Sequence, residues 1–350
     1  MIGIKRMFPG GNTSEGFFSY HKYITNNIHK KKFILKGGPG SGKSTIMTEI
    51  GDEMLEKGYG IEYHHCPSDR YSVDGIVVQE LDIAILDGTA PHIIDPELPG
   101  IMDEIIDLGR YIDSEKLMEN KDIIINAKSG NKNCYRRTYS YFRAARQILN
   151  QIIEENSECV DFKSMNRMIL DLIAEIYSTE GNKNLLGGER HLFGSAFTPS
   201  GFVDYTDTLL EGLERVYFVT GDYGTGKTML LDRVYENSKI RGYYVEVYHD
   251  PFIPQKINTV LIPELSIGFT TSATIGDNYL KKIDLNKYFD TSRKNENDYK
   301  VYKELMDLGI SNLFNAKANH DILEKYYHLA IDFDGVNKEK EYIISEIENL

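Results

Sequence analysis

One glycine-rich motif occurs twice in this chain, and the repeat built around it constrains the fold more than any other feature. Gly37-Gly38-Pro39-Gly40-Ser41-Gly42-Lys43-Ser44-Thr45 and Gly221-Asp222-Tyr223-Gly224-Thr225-Gly226-Lys227-Thr228-Met229 both satisfy Gly-x4-Gly-Lys-Ser/Thr. Their lysines stand 184 residues apart, and the same spacing lays Gly58–Pro67 on Gly242–Pro251 and Val77–Ala84 on Leu261–Gly268. Upstream, Phe8, Thr13, Gly16, Phe17 and Tyr20 recur as Phe193, Thr198, Gly201, Phe202 and Tyr205. Downstream, Ile106–Asp113 recurs as Ile283–Asp290, and Val160–Asn166 as Ile331–Asn337. Order is kept throughout, so one ancestral unit has been duplicated and fused. The Gly- and Asn-rich stretch Gly181–Arg190 marks the boundary, which predicts domains over 1–184 and 185–350. A length of 350 residues suits two domains of about 150 each.

Each unit reads as alternating strand and helix. FILKG and YFVTG are short β-rich runs leading straight into the glycine-rich loops. TIMTEIGDEMLEKG then carries apolar residues at helical spacing and stops at Gly58. Strands IEYHH and DIAIL follow. That alternation predicts an α/β fold with two tandem P-loop NTPase domains, each a mainly parallel sheet flanked by helices. Each unit should end in a helical hairpin, with Asp161 or Asp332 capping its last helix. The DFDG around Asp332 could suggest a metal site, but its counterpart is DFKS, so capping is the better account.

The spacing of the motif explains its chemistry. Glycines let the backbone curl so that successive N–H groups point inward at a phosphate. The helix that follows turns its positive end toward the same anion. Lys43 and Lys227 are placed to reach β- and γ-phosphates, and the Ser44 and Thr228 hydroxyls to ligate Mg²⁺. ATP and Mg²⁺ are therefore the expected cofactors, with residues 37–45 and 221–229 holding the nucleotide. A second acid normally ends a neighbouring apolar strand, and Ile83-Ala84-Ile85-Leu86-Asp87 supplies that shape. The residue aligned with Asp87 is Thr271, so the two sites are chemically unequal unless Asp250, aligned with Cys66, takes over.

Two histidines recur, His65 and His249, each two residues before a proline. At the carboxyl end of a strand they could orient a water, an acceptor or the γ-phosphate, and His65 joins Lys43 and Asp87 as a catalytic candidate; the competing reading is a histidine that only ties down a loop. Glu80 and Glu264 recur before the third strand and are expected to be solvated rather than catalytic. The recurring Phe and Tyr residues upstream of each loop fit core packing better than stacking on a base.

Composition closes off several functions. Lys+Arg 40 against Asp+Glu 53 leaves a net charge of −13, which opposes nucleic-acid binding. Three widely spaced cysteines with no CxxC pair give neither a disulfide framework nor a zinc ribbon. MIGIKRMFPGGN has no apolar signal region and no stretch is apolar enough to span a bilayer, so a cytoplasmic location and no membrane partner are expected.

With its tandem GGPGSGKST and GDYGTGKT loops, the paired ELDIAILDGTAPH and PELSIGFTTSAT, and the IDL-x-[RK]-Y-x-D element, the whole chain resembles a bacterial family of tandem P-loop ATPases and nucleotide-kinase-like proteins. Ile85–Pro96 is the most distinctive segment and occurs in the first unit only. The resemblance implies ATP binding and leaves three classes open. The favoured one is an Mg²⁺-dependent ATPase whose first unit is catalytic and whose second binds nucleotide and turns it over slowly, acting on a protein partner. The others are a kinase that phosphorylates a small molecule or nucleotide, and a nucleotide sensor without turnover. The order of strands separates the water-activating ATPase class, marked by an extra strand between the P-loop strand and the Asp87 strand, from the kinase–GTPase class.

Overall fold

The computed structural model describes residues 3–25, 30–90, 92–177, 183 and 185–350. The expected boundary over 181–190 thus falls partly outside the described residues. In the first repeat the elements are β1 (Ile4–Met7), β2 (Gly10–Thr13), β3 (Gly16–Ser19), β4 (Lys31–Lys36), α1 (Lys43–Glu56), β5 (Ile61–Cys66), β6 (Asp69–Val78), β7 (Ile83–Asp87), β8 (Asp103–Asp107), α2 (Ser114–Glu119), α3 (Lys121–Ser157) and α4 (Phe162–Tyr177). The second repeat gives β9 (Glu189–Phe193), β10 (Ser195–Thr198), β11 (Gly201–Asp204), α5 (Thr206–Leu210), β12 (Arg215–Thr220), α6 (Lys227–Ile240), β13 (Val245–His249), β14 (Ile257–Ile262), β15 (Ile267–Thr270), β16 (Lys281–Asp284), α7 (Glu296–Leu329) and α8 (Phe333–Glu348).

Two six-stranded sheets result, in the orders β1-β5-β6-β7-β4-β8 and β9-β13-β14-β15-β12-β16. Five strands of each run parallel, as expected, and one runs against them, so the sheets are mixed. β6 runs antiparallel to both β5 and β7, and β14 does the same between β13 and β15. The reason is chain length: only Pro67 and Ser68 join β5 to β6, too few for a crossover, so the chain must turn back as a hairpin. The sequence reading passed over β6 and β14 because it carried the alternation directly from IEYHH to DIAIL. In both sheets the strand that leads into the glycine-rich loop lies parallel and directly beside the strand after the hairpin, β4 on β7 and β12 on β15.

Each repeat ends in two helices, but not in a packed hairpin. α3 runs antiparallel along α7, joined where Thr138 Oγ1 donates to the Gly309 carbonyl and Phe142 lies against Gly309, whose Cα leaves no space for a side chain. The short helices go to the opposite repeat. Met165, Ile169, Leu172 and Ile176 of α4 join the core of the second sheet with Val219, Leu230 and Val247. Val336, Ile343 and Ile347 of α8 join the core of the first with Phe33, Ile46 and Ile106. The periodicity of these helices, with one apolar face each, is what lets them close an open sheet face. Asp332 accepts from the amides of Asp334 and Gly335, and Asp161 from the amide and hydroxyl of Ser164, so both aspartates cap as expected.

The exchange is reciprocal, as a local two-fold axis requires. The Phe8 and Phe193 amides each donate to the other's carbonyl, at 2.8 and 3.0 Å. Tyr20 stacks on His249 and Tyr205 packs on His65, both with ring centroids 4.7 Å apart. Asp113 donates its amide to Ala330 and Asp332 to Tyr111, while Asp161 donates to Tyr288 and Asp290 to Cys159. Of the recurring aromatics, Phe8, Tyr20, Phe193 and Tyr205 therefore form the seam between repeats. Among the described residues no helix is long and apolar enough to cross a membrane.

Ile343 is wholly buried although its own repeat's sheet lies elsewhere. Ile343→Ala should lower unfolding stability by about 2–5 kcal/mol, the cost of a cavity in a packed core. Chemical denaturation that finds a loss below about 0.5 kcal/mol would mean α8 does not close the first sheet.

Candidate functional site

The first loop leaves β4 at Lys36 and enters α1 at Lys43. Gly40 and Gly42 have φ of +69° and +86°, and Gly224 and Gly226 match them at +80° and +94°. These conformations aim consecutive amides into one concavity. No side chain caps the start of α1 or α6, so their first-turn amides face the same concavity. Gly40 is also required by its neighbour, because a Cβ there would stand 2.7 Å from the Glu324 carbonyl oxygen of α7. Gly224 meets the Ile153 carbonyl of α3 at 2.6 Å in the same way. Each loop is thus roofed by the long helix of the other repeat.

Lys43 is nearly buried, and its Nζ donates to the carbonyls of Gly37 at 3.0 Å and Gly38 at 2.8 Å. Asp87 Oδ2 lies 3.7 Å from the same nitrogen, and Asp87 accepts from the Thr89 amide at 2.8 Å. Ser44 accepts from the Val73 amide of β6 at 3.0 Å. Lys43, Ser44 and Asp87 line one cavity of about 1050 Å³. Its far wall comes from α3, α7 and α8, with Tyr135, Leu323, Tyr327 and Phe333 on it. Cys66, Asp74 and His92 face it from the sheet.

The second loop repeats the fold with different polar neighbours. Lys227 Nζ donates to the Gly221 and Asp222 carbonyls. Burial, with Lys256 nearby, pulls its ammonium down to about 8. Thr271, in the place of Asp87, donates its hydroxyl to Asn258 Oδ1. Asp250 stands near enough to Lys227 for its charge to act on that ammonium. It turns its Oδ1 to the amides of Phe252 and Ile253, capping its own loop, and burial holds its carboxyl above the usual range.

His65 is not among the residues that line the cavity. It sits in the seam, where Arg6 Nη1 donates to its Nε2 at 3.0 Å and Tyr205 packs on the ring. His249 is placed alike, with Nε2 2.8 Å from His191 Nδ1. Glu80 accepts the Gly60 amide at 2.7 Å and Glu264 the Tyr244 amide at 3.1 Å, both staples far from the loops. The cavity residues that the sequence reading missed are Asp74, His92, Tyr135, Glu324 and Tyr327. The first two were signalled only by a difference between the repeats, since Asn258 aligns with Asp74 and His92 lies in the segment unique to the first repeat.

What the arrangement can do chemically is cradle an anionic phosphate chain and, through one hydroxyl and one carboxylate, hold a hard cation beside it. No family model, curated protein or solved structure matches this chain.

The seam histidines make acid a threat to the fold. Burial and then Arg6 push the His65 imidazole down to about 4, and burial and then His191 push His249 to about 3. Unfolding frees both to take protons at ordinary values, so stability should fall as pH drops from about 6.5 toward 4. His65→Gln, whose amide can still donate and accept a hydrogen bond but cannot titrate, should reduce that fall by at most about 3 kcal/mol. Urea titrations at pH 7 and pH 4.5 with identical differences for variant and parent would show that His65 titrates normally.

Proposed function

We propose that the first repeat binds Mg²⁺ and a nucleoside triphosphate, ATP by the resemblance of the sequence, and cleaves its terminal phosphate. The second repeat binds nucleotide and turns it over slowly. The observation that carries this reading is the gathering of Lys43, Ser44 and Asp87 on one cavity, against Thr271 hydrogen-bonded to Asn258 at the equivalent place.

The residues fit the groups that the reading requires. Residues 37–45 supply the inward amides and the start of α1 for the phosphates. Lys43 would leave the Gly37 and Gly38 carbonyls for the β- and γ-phosphate oxygens, releasing Asp87 from its nearest cation. Ser44 and Asp87 offer the hydroxyl and the carboxylate that an octahedral Mg²⁺ shell takes from protein, and bound Mg²⁺ would neutralise charge developing on the phosphates. α7, pressed on Gly38 and Gly40, keeps bulk water from one side of the loop.

Transfer to a small acceptor is the second reading, and a particular observation favours it. β7 lies directly beside β4 with no strand between, the order of kinases and GTPases rather than of water-activating ATPases. The cavity also reaches beyond the loop to Tyr135 and His92, leaving room for an acceptor.

Phosphate release from Mg-ATP is the test. Lys43→Ala should lower it on the order of 10²- to 10³-fold, and Asp87→Asn comparably, because each removes charge stabilisation made in the transition state. Lys227→Ala should change it by only a few-fold. Equal losses from the two lysine variants would end the asymmetric reading. Tight ATP binding with no release by the parent would favour transfer, to be followed with small-molecule acceptors.

A further inference from the structure

A buried cluster beside the P-loop has no role in the reading above. His21 follows β3, Asp74 lies within β6, and His92 lies in the segment after β7. Their side chains are all at most 8% exposed. Asp74 Oδ2 faces both imidazoles, 3.3 Å from His21 Nε2 and 3.6 Å from His92 Nε2. Among the described residues these three form the one His/Cys/Asp/Glu group with its donor atoms all within 4.8 Å of one another.

The spacings decide what the cluster is built for. Hydrogen bonds between imidazole and carboxylate settle at roughly 2.7–3.0 Å, so 3.3 and 3.6 Å are long for a buried, fully enclosed pair. Donors around a four-coordinate ion with bonds of about 2.0–2.1 Å stand roughly 3.3–3.4 Å apart along each edge. The Asp74–His21 edge matches that polyhedron and the Asp74–His92 edge is slightly longer; the two imidazoles stack with centroids 4.0 Å apart, so one ring would turn to bring both lone pairs onto one ion. Ser19 Oγ lies 2.8 Å from His21 Nδ1, the outer hydrogen bond that turns the Nε2 lone pair of a ligating histidine inward. The Phe17 ring packs against both imidazoles and supplies an apolar wall.

We propose that His21, Asp74 and His92 bind one divalent transition-metal ion, of the kind that imidazole and carboxylate select over Mg²⁺. Two histidines and one carboxylate leave coordination positions open. Asp74 and His92 line the cavity that holds Lys43, Ser44 and Asp87, so the open positions face it and take water or an oxygen of whatever the cavity binds. Only the first repeat carries the site. Thr206 and Asn258 align with His21 and Asp74. Metal binding stands without the nucleotide reading, since none of the three ligands belongs to the P-loop.

Co²⁺ is the probe, titrated into the full chain after chelator treatment and without nucleotide. One equivalent should bind with visible absorption bands, and Zn²⁺ should displace it. Asp74→Asn copies the second repeat's own Asn258 and so suits the fold. It should weaken binding by more than about 100-fold while the melting profile without metal is kept. His92→Ala should do the same. Lys43→Ala and Cys66→Ser should retain the equivalent, which separates the site from the P-loop and from the neighbouring thiol. Absence of saturable Co²⁺ binding in the parent would overturn the proposal, and so would unchanged affinity in a folded Asp74→Asn protein.

Discussion

Neither sheet of this protein is closed by its own repeat alone, and the structure depends on how that lack is met. The long helices α3 and α7 cross the local two-fold axis and carry α4 and α8 to the opposite sheet, where residues such as Met165 and Ile343 are fully buried. The paired amides of Phe8 and Phe193 fix the axis about which this happens. An exchange of identical elements normally joins two chains into a dimer. Here the duplication has placed both partners in one polypeptide, so the interface is present at every concentration. Arg190, buried against Glu62 with contacts of 2.7 and 3.0 Å, strengthens the join between repeats. The guanidinium and carboxylate meet as a two-pronged pair, the geometry in which a buried ion pair recovers most of its desolvation.

The same crossing sets the character of the two loops. Because Glu324 and Ile153 press their carbonyls onto Gly40 and Gly224, the loops are not surface features but parts of an interface between repeats. Whatever changes the curl of one loop must be felt by a helix anchored on the other repeat. The fold is symmetric in this respect and the chemistry is not. Asp87, Asp74, His21 and His92 surround the first loop, while Thr271, Asn258 and Thr206 stand at three of the equivalent places. Duplication kept the scaffold and let one of its two polar linings drift.

Much of this was legible in the sequence, and for physical reasons. The loops show because a backbone that turns through positive φ demands glycine at fixed positions, and the helix caps show because Asp161 and Asp332 act on amides two or three residues away. Asp87 ends its strand as its apolar run implied. The strand β6 did not show, because its short return is set by the two residues before it rather than by its own pattern. The helix exchange could not show at all: the apolar face of α8 says that a surface must be covered but not whose. His65 misled because the end of a strand predicts proximity to a ligand, whereas here that end abuts the seam and Tyr205. The His21, Asp74 and His92 group is drawn from three separate elements, so only the register of β6 brings it together.

The position of α8 after the whole of the second sheet has a consequence for biosynthesis. The core of the first repeat takes Val336, Ile343 and Ile347 from a stretch translated only after that sheet. Domains usually close in the order in which they leave the ribosome. This one cannot, since its first half stays incomplete until α8 emerges. The nascent first sheet therefore waits, with its apolar face covered by α1 but not yet by α8, through the synthesis of the second sheet.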